Sequence, residues 1–469
     1  MAEPDAIVIG SGPNGLAAAI VLAQAGWKVT VFEAEPTIGG GVRSAALTLP
    51  GFIHDVCSAV HPTALASPFF RTLPLHQHGL EWIDPPAAFA HPLDDGSAAI
   101  VERSVDATAA PLGRDGDAYK DLFGGVVRAW PRIDRSVLGP LKWPDHPVTM
   151  AAFGMRALRS AEGLAKRFAD EPARALVAGI AAHSMLRLDQ SLTGGVALVL
   201  GGLGHIVGWV IPRGGSQSLT DALVRHLQSL GGEVIAGHRV TSLDEVPRAR
   251  AIVCDLSPQP FLRIAGSRLP ASYRSALERY RYGMGVFKMD FAIDGPIPWR
   301  AEACRRTATV HIGGTFKEIA DSESAIASGQ VAERPYVLLA QPSLFDSSRS
   351  PAGKHTVWAY CHVPRGSTVD MAPRIEAQIE RFAPGFRDRI LARSCMPPAE
   401  IEARNANFIG GDIGSGAADV GQFFTRPTWR TYSTPARGLY LCSASTPPGV
   451  GVHGMCGYFA AQRVLADCS

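Results

Sequence analysis

Short apolar runs, each bounded by turn residues, punctuate this chain near its start, middle and end. Ala6-Ile-Val-Ile9 is unbroken and Val29-Thr-Val-Phe32 nearly so, as suits strands buried on both faces of a parallel sheet. Comparable runs at Gly232-Glu-Val-Ile235, Ala251-Ile-Val-Cys-Asp255 and Gly438-Leu-Tyr-Leu-Cys442 are expected to join the same sheet. Between the first two, the alanine-rich stretch Leu16 to Ala25 reads as a helix stopped by Gly26. The middle of the chain has another character. Residues from about 110 to 204 follow helical spacing with prolines as punctuation, whereas Val286 to Asp294 and Tyr336 to Val363 alternate like antiparallel strands. Thr193 to Ile211 is nearly uncharged and reaches membrane-spanning length, yet its glycines and His205 favour a buried helix and loop.

This order predicts an α/β protein with a discontinuous Rossmann-like domain made of residues 1–70, 205–270 and 425–469. An α+β substrate domain is inserted as residues 71–204 and 271–424, its helical part at 110–204 and its antiparallel part at 280–365. Ligands of such proteins bind between the domains.

The turn after the first strand reads Gly10-Ser11-Gly12-Pro13-Asn14-Gly15. Its glycines allow a tight turn, close backbone approach to a pyrophosphate and close packing of the following helix, whose N-terminus faces the phosphates. Glu33 closes the second strand where an acid accepts ribose hydroxyls and repels a 2′-phosphate. Strand, turn, helix, strand and acid therefore occur in the order a bound dinucleotide requires. A second loop, Gly39-Gly40-Gly41-Val42-Arg43-Ser44, adds an arginine able to neutralise a diphosphate from its far side.

At 469 residues the chain suits two domains. A formal charge of +2 without like-charge runs argues against a nucleic-acid partner. The eight cysteines show neither a Cys-x-x-Cys pair nor zinc spacing, so they read as reduced cytosolic thiols, with no metal site expected. The acidic start runs almost at once into the first strand, which predicts no signal or transit peptide and a cytoplasmic protein.

Several blocks in one order resemble the phytoene desaturase-like branch of the flavin amine oxidase superfamily. They are Gly10-Ser-Gly-Pro-Asn-Gly, Gly39-Gly-Gly-Val-Arg-Ser, Gly51-Phe-Ile-His-Asp-Val-Cys-Ser, Pro212-Arg-Gly-Gly-Ser, Val310-His-Ile-Gly-Gly, Asn407-Phe-Ile-Gly-Gly-Asp and Pro448-Gly-Val-Gly-Val-His-Gly-Met. The resemblance implies that fold, with non-covalent FAD and its ring at the domain junction. It implies that Gly10, Ser11, Gly12, Pro13, Asn14 and Gly15 hold the diphosphate and that Glu33 and Ala34 meet the adenosine ribose. Gly40, Gly41, Val42, Arg43 and Ser44 would face the diphosphate and ribityl chain, and the Val240 backbone the adenine edge. Ser58, Ala59 and Val60 would run beside the flavin. Ser445, Val452, His453 and Gly454 precede a closing helix whose N-H groups can stabilise charge on the reduced ring.

Three side chains are candidates for chemistry. Lys288 matches the position where flavin amine oxidases often hold a water near flavin N5; it shares a strand face with Val286 and Asp290. His453 precedes the closing helix, and His61 could act as acid or base beside the ring. His183 and His311 read as packed polar groups or cavity lining, Asp412 as a cap for local N-H groups, and Arg213 as structural. Tyr432 and Tyr458 are the aromatic candidates for framing a flavin. The expected activity is hydride transfer from a largely apolar small molecule to flavin N5, first as carbon-carbon desaturation, with amine oxidation as the enzymatic alternative. Oxygen or a quinone would accept the electrons. Arg156, Arg159, Lys166 and Arg167, interleaved with apolar residues, allow peripheral membrane contact, although a solvated helix is commoner. A non-catalytic lipid- or prenyl-binding protein on the same fold is the rival of another class.

Overall fold

A computed structural model describes residues 3–469. The strands of its two main sheets are, in chain order, β1 (Ala6–Ile9), β2 (Val29–Phe32), β3 (Ala87–Pro92), β4 (Ala98–Val101), β5 (Glu233–Ile235), β6 (Ala251–Cys254), β7 (Gly285–Asp294), β8 (Thr307–Ile312), β9 (Val337–Ala340), β10 (Lys354–Val363), β11 (Ile390–Met396) and β12 (Leu439–Leu441). The helices that position the site are α1 (Pro13–Gln24), α2 (Gly125–Val137), α3 (Pro147–Ala157), α4 (Glu171–Ala181), α5 (Thr193–Ile206), α6 (Gln217–Ser229) and α7 (Met455–Cys468).

The first sheet is parallel throughout, in the order β12-β6-β1-β2-β5. Every apolar run proposed for it is there, drawn from stretches far apart in sequence. Its central strand is buried on both faces, which accounts for a run without alternation. On one face α1 lies under α7 at close range: a Cβ at Gly457 would stand 1.8 Å from the Asn14 carbonyl oxygen, so only glycine permits this crossing. The other face is covered by Phe261, Leu269, Tyr273 and Leu277.

The second sheet has the order β11-β7-β10-β9-β8-β3-β4 and is antiparallel except where β8 meets β3. Strands β7, β9 and β10 match the alternating segments and β8 lies within the expected antiparallel part, 280–365, without a run of its own; β3, β4 and β11 carried no expectation. Two rows of facing residues cross its middle, Thr309-Ala340-Trp358-Asp290 and His311-Leu338-Tyr360-Lys288. The opposite face packs Val310, Leu339, Val357 and Met289 against Ile375 and Ile379.

Boundaries differ in places from the expected ones. The helix expected from Leu16 begins at Pro13, where a residue lacking N-H loses nothing, and Ala25 with left-handed Gly26 ends it. The membrane-length run forms the 14-residue α5, and no helix among the described residues is long and apolar enough to cross a membrane. The basic stretch Arg156 to Arg167 is broken, because α3 stops at Ala157 and Ser160 caps a new turn. It therefore does not form one continuous amphipathic face.

Candidate functional site

The carboxyl ends of β1, β2 and β6 open on one large cavity of about 1320 Å³, lined there by Ile9, Phe32 and Asp255. Ligands of open parallel sheets bind at such ends. The cavity continues past Gly10 to Asn14, Glu33, Ala34 and Gly40 to Arg43, with His238 to Thr241 at one end. It then runs by Ser58 to Val60 and Val452 to His453 into a mostly apolar chamber walled by α3, α5 and, from the two middle rows of the second sheet, Thr309, Leu338, Ala340, Trp358 and Tyr360.

The nucleotide end is held by backbone and carboxylates. A Cβ at Gly15 would lie 2.1 Å from the Gly10 carbonyl oxygen, so the loop folds onto the start of α1 only with glycine there. Glu33 accepts bonds from the Ser11 N-H at 3.0 Å, from the Ser11 hydroxyl and from the Glu35 N-H. Arg43 is buried, its Nε donating to the Gly40 carbonyl and Nη2 to the Arg404 carbonyl, which clips the second glycine loop to residues 404–408.

Asp255 was legible only as the end of a strand, yet it stands beneath the nucleotide loop. Its carboxylate accepts the Gly15 N-H at 3.0 Å. Burial, with Glu33 nearby, pushes its carboxyl up to about 7. An acid ending a third parallel strand beside a glycine loop is a signal that could have identified it. Asn405, Asn407 and Phe408 also line this end; the last two open a block of the resemblance but carried no assigned role, and Asn405 lies just before it.

Most of the expected cofactor contacts come together on this wall: Gly10, Ser11, Gly12, Pro13, Asn14, Glu33, Ala34, Gly40, Gly41, Val42, Arg43, Ser58, Ala59, Val60, Val240, Val452 and His453. Gly15 lies under the loop, and Ser44, Ser445 and Gly454 stand outside the lining. The Ser44 hydroxyl donates to Asp55 and Ser445 pairs with Ser443. Gly454, left-handed, begins α7.

The three candidates for chemistry occupy different settings. His453 reaches the cavity, and its Nδ1 accepts the Met455 N-H at 3.1 Å. Burial lowers it to about 4 and keeps it neutral at pH 7. His61 is fully buried, with Nε2 2.8 Å from the Ser216 hydroxyl, and it is absent from the cavity wall. Lys288 is set one layer back, in a small side cavity shared with Gly40, Arg43, Cys57, Trp358 and Tyr360, each of which also lines the main one. Its amine pairs with Asp290. Burial drives both toward neutrality, lowering the lysine and raising Asp290 to about 6. Beside them a second buried pair joins Arg349 to Asp55 at 2.8 Å.

Asp412 caps the N-H groups of Gly283, Gly414 and Gly416, and Arg213 pairs with Glu81 at the surface. Tyr432 and Tyr458 stay outside the cavity; the aromatic side chains in its wall include Trp209, Trp358 and Tyr360. No local motif announces these three: Trp358 and Tyr360 share β10, and Trp209 comes from the segment just after α5.

The parallel sheet, the glycine cradle and the cavity between two sheets define a nucleotide-dependent oxidoreductase architecture. The chain belongs to the FAD-dependent oxidoreductase family, whose model matches residues 5–259. It is 27% identical to mouse (Mus musculus) pyridine nucleotide-disulfide oxidoreductase domain-containing protein 2, over 99% of this chain and 94% of that protein. It is 26% identical to phytoene dehydrogenase of Streptomyces griseus, over 95% of this chain and 86% of that protein. Wild-type putrescine oxidase bound to putrescine shares the fold, with a TM-score of 0.62 and 16% identity over 99% of this chain and 98% of that one. A flavin is thus the implied cofactor, and Gly10, Gly12, Gly40 and Gly41, which put no side chain into the trough, leave room for its diphosphate.

Proposed function

We propose that this protein binds FAD non-covalently and oxidises a largely apolar, uncharged small molecule, most simply by desaturating a carbon-carbon bond. Bound FAD supplies a hydride acceptor at N5. The glycine loops, Glu33 and Arg43 hold the nucleotide, and Val452 and His453 stand where the ring enters the apolar chamber.

The distribution of charge along the cavity carries this reading. Its lining carboxylates are Glu33, Glu35 and Asp255, all at the nucleotide end. An alkylammonium substrate would enter a chamber walled by residues such as Leu138, Phe153, Val196, Leu200 and Leu338 without a counter-charge, and burying an unpaired charge is costly. The same asymmetry favours desaturation over amine oxidation. The complete nucleotide cradle favours redox chemistry over simple lipid binding.

The cavity mouth supports an apolar substrate as well. Leu141, Leu158, Phe423, Phe424, Trp429 and Val450 line the cavity and are exposed, Trp429 at 81%. Such a rim suits a cytoplasmic protein that rests on a bilayer surface and takes its substrate from it. Oxygen or a quinone would then reoxidise the flavin.

Anaerobic mixing of the flavin-loaded protein with polyenes, long-chain acyl compounds and aliphatic amines, followed by loss of flavin absorbance, tests the proposal. Bleaching by an apolar uncharged compound supports it. Bleaching by amines alone overturns it in favour of amine oxidation. A folded protein that stays colourless with added FAD overturns the redox reading altogether.

A further inference from the structure

The apolar chamber has one polar spot that the reaction above does not use. His183 follows α4 in a single turn, Ala182–Ser184, and lines the chamber half-buried; His311, on β8, is fully buried behind it. Their Nε2 atoms are 3.0 Å apart. Burial lowers His183 to about 3 and takes His311 well below its ordinary value, so both rings are neutral near pH 7. One proton then lies between the two Nε2 atoms.

Which ring owns that proton follows from the other nitrogens. Nδ1 of His311 is sealed against Gly179 without a hydrogen-bond partner. A buried N-H left unpaired is rarer than an unpaired acceptor, so His311 keeps its proton on Nε2 and donates it to His183. His183 must then carry its own proton on Nδ1. That atom makes no protein hydrogen bond among the described residues and is not sealed by packing, so it opens to the chamber its residue lines. Ser184 and Thr309, beside His183 and two residues from His311, line the same chamber and keep hydroxyls without partners. The Trp209 ring stands edge-on to both histidines, its N-H spent on the Leu200 carbonyl.

Resting on the apolar-substrate reading, we infer that His183 presents a hydrogen-bond donor to an oxygen of the substrate, so that the natural substrate is an oxygenated apolar molecule with a carbonyl, ester, ether or hydroxyl group and not a bare hydrocarbon. His311 acts through His183 as a positioning residue. A site built to pair with an oxygen discriminates against the analogue lacking it, because its donor is then left unsatisfied.

Binding of 2-pentadecanone and of pentadecane to the flavin-loaded protein, both delivered from cyclodextrin and read by the flavin difference spectrum and tryptophan fluorescence, tests this. In His183→Phe, affinity for the ketone is expected to fall about 3- to 10-fold, the worth of one neutral hydrogen bond, while pentadecane stays within about twofold. His183→Gln, which restores an amide N-H, is expected to recover part of the ketone affinity. Equal losses for ketone and alkane, or no loss for either, overturn the inference and leave the apolar-substrate reading intact. Failure of both compounds to bind the wild-type protein overturns both.

Discussion

The two ends of the cavity are built by opposite means. At the nucleotide end, backbone turns, the Arg43 clip and carboxylates such as Glu33 and Asp255 fix a polar trough over a few short loops. At the substrate end, whole elements meet: α3, α5 and a mixed sheet present apolar side chains, with His183 paired to His311 and the Ser184 and Thr309 hydroxyls without partners. A cofactor common to a family needs fixed donors at fixed places, which local sequence supplies. An apolar substrate needs volume and dryness, which only the assembled fold supplies.

The contrast is broken most drastically at the glycine cradle. Gly15→Val places atoms inside van der Waals contact of the Gly10 carbonyl, so the variant is expected to retain no measurable flavin after purification, while a cavity-wall change such as Val196→Ala keeps it. Flavin absorbance per folded protein decides; a yellow Gly15→Val variant would show that the trough tolerates side chains.

Lys288 lies at the boundary between the two ends, and its removal is expected to act first on stability. Lys288→Met removes the amine that pairs with buried Asp290 and leaves it only His54, neutral at pH 7, at 3.5 Å, an expected loss of about 3–5 kcal/mol in denaturant unfolding. Burial raises Asp290 to about 6 while the lysine holds it down, so without the lysine its carboxyl takes up a proton at a higher pH, and the loss is expected to shrink as pH falls towards 6 and to level off below it. A destabilisation independent of pH would assign the effect to packing.

Asp255 sharpens the comparison from the polar side. Its folded-state value, about 7, lies above the ordinary carboxyl value, so the folded state binds the proton more tightly and stability falls as pH rises from about 4 to 7. Asp255→Asn keeps an acceptor for the Gly15 N-H and cannot ionise. It is therefore expected to gain about 2–4 kcal/mol on the wild type between pH 4 and pH 8. Parallel stability curves for the two proteins would contradict this.

The smallest effect belongs to the rim. Replacing exposed Trp429 and Phe424 by serine is expected to change folding stability by about 0.5 kcal/mol or less and to reduce co-sedimentation with liposomes several-fold. Unchanged sedimentation would remove the bilayer from the entry route.

The same division explains what could be read from residues alone. The parallel sheet was legible because each strand is a short apolar run with its own turn signal, and the nucleotide wall because its glycines and Glu33 sit at fixed offsets from the first strand. The second sheet was legible only in part. Strands β3, β4 and β8 meet through pairing between residues 87–101 and 307–312, and no local pattern encodes that distance. His183 and His311 illustrate the limit: each alone reads as a packed histidine, and their shared hydrogen bond exists only once α4 and β8 are placed. Asp255 belongs to the other kind of omission, since its position at a strand end was visible and its place under the loop followed from the parallel register.

The close crossing of α7 on α1 carries a temporal consequence for biosynthesis. Strand β12 and α7 come from residues 439–468, yet they complete the sheet and cover the helix begun at Pro13. A nascent chain emerging from the ribosome therefore holds an unfinished Rossmann half, its α1 face uncovered, until residues 439–468 have been made. A stop between residues 45 and 438 would leave both glycine loops and Glu33 in the product without the strand and helix that complete the sheet around them.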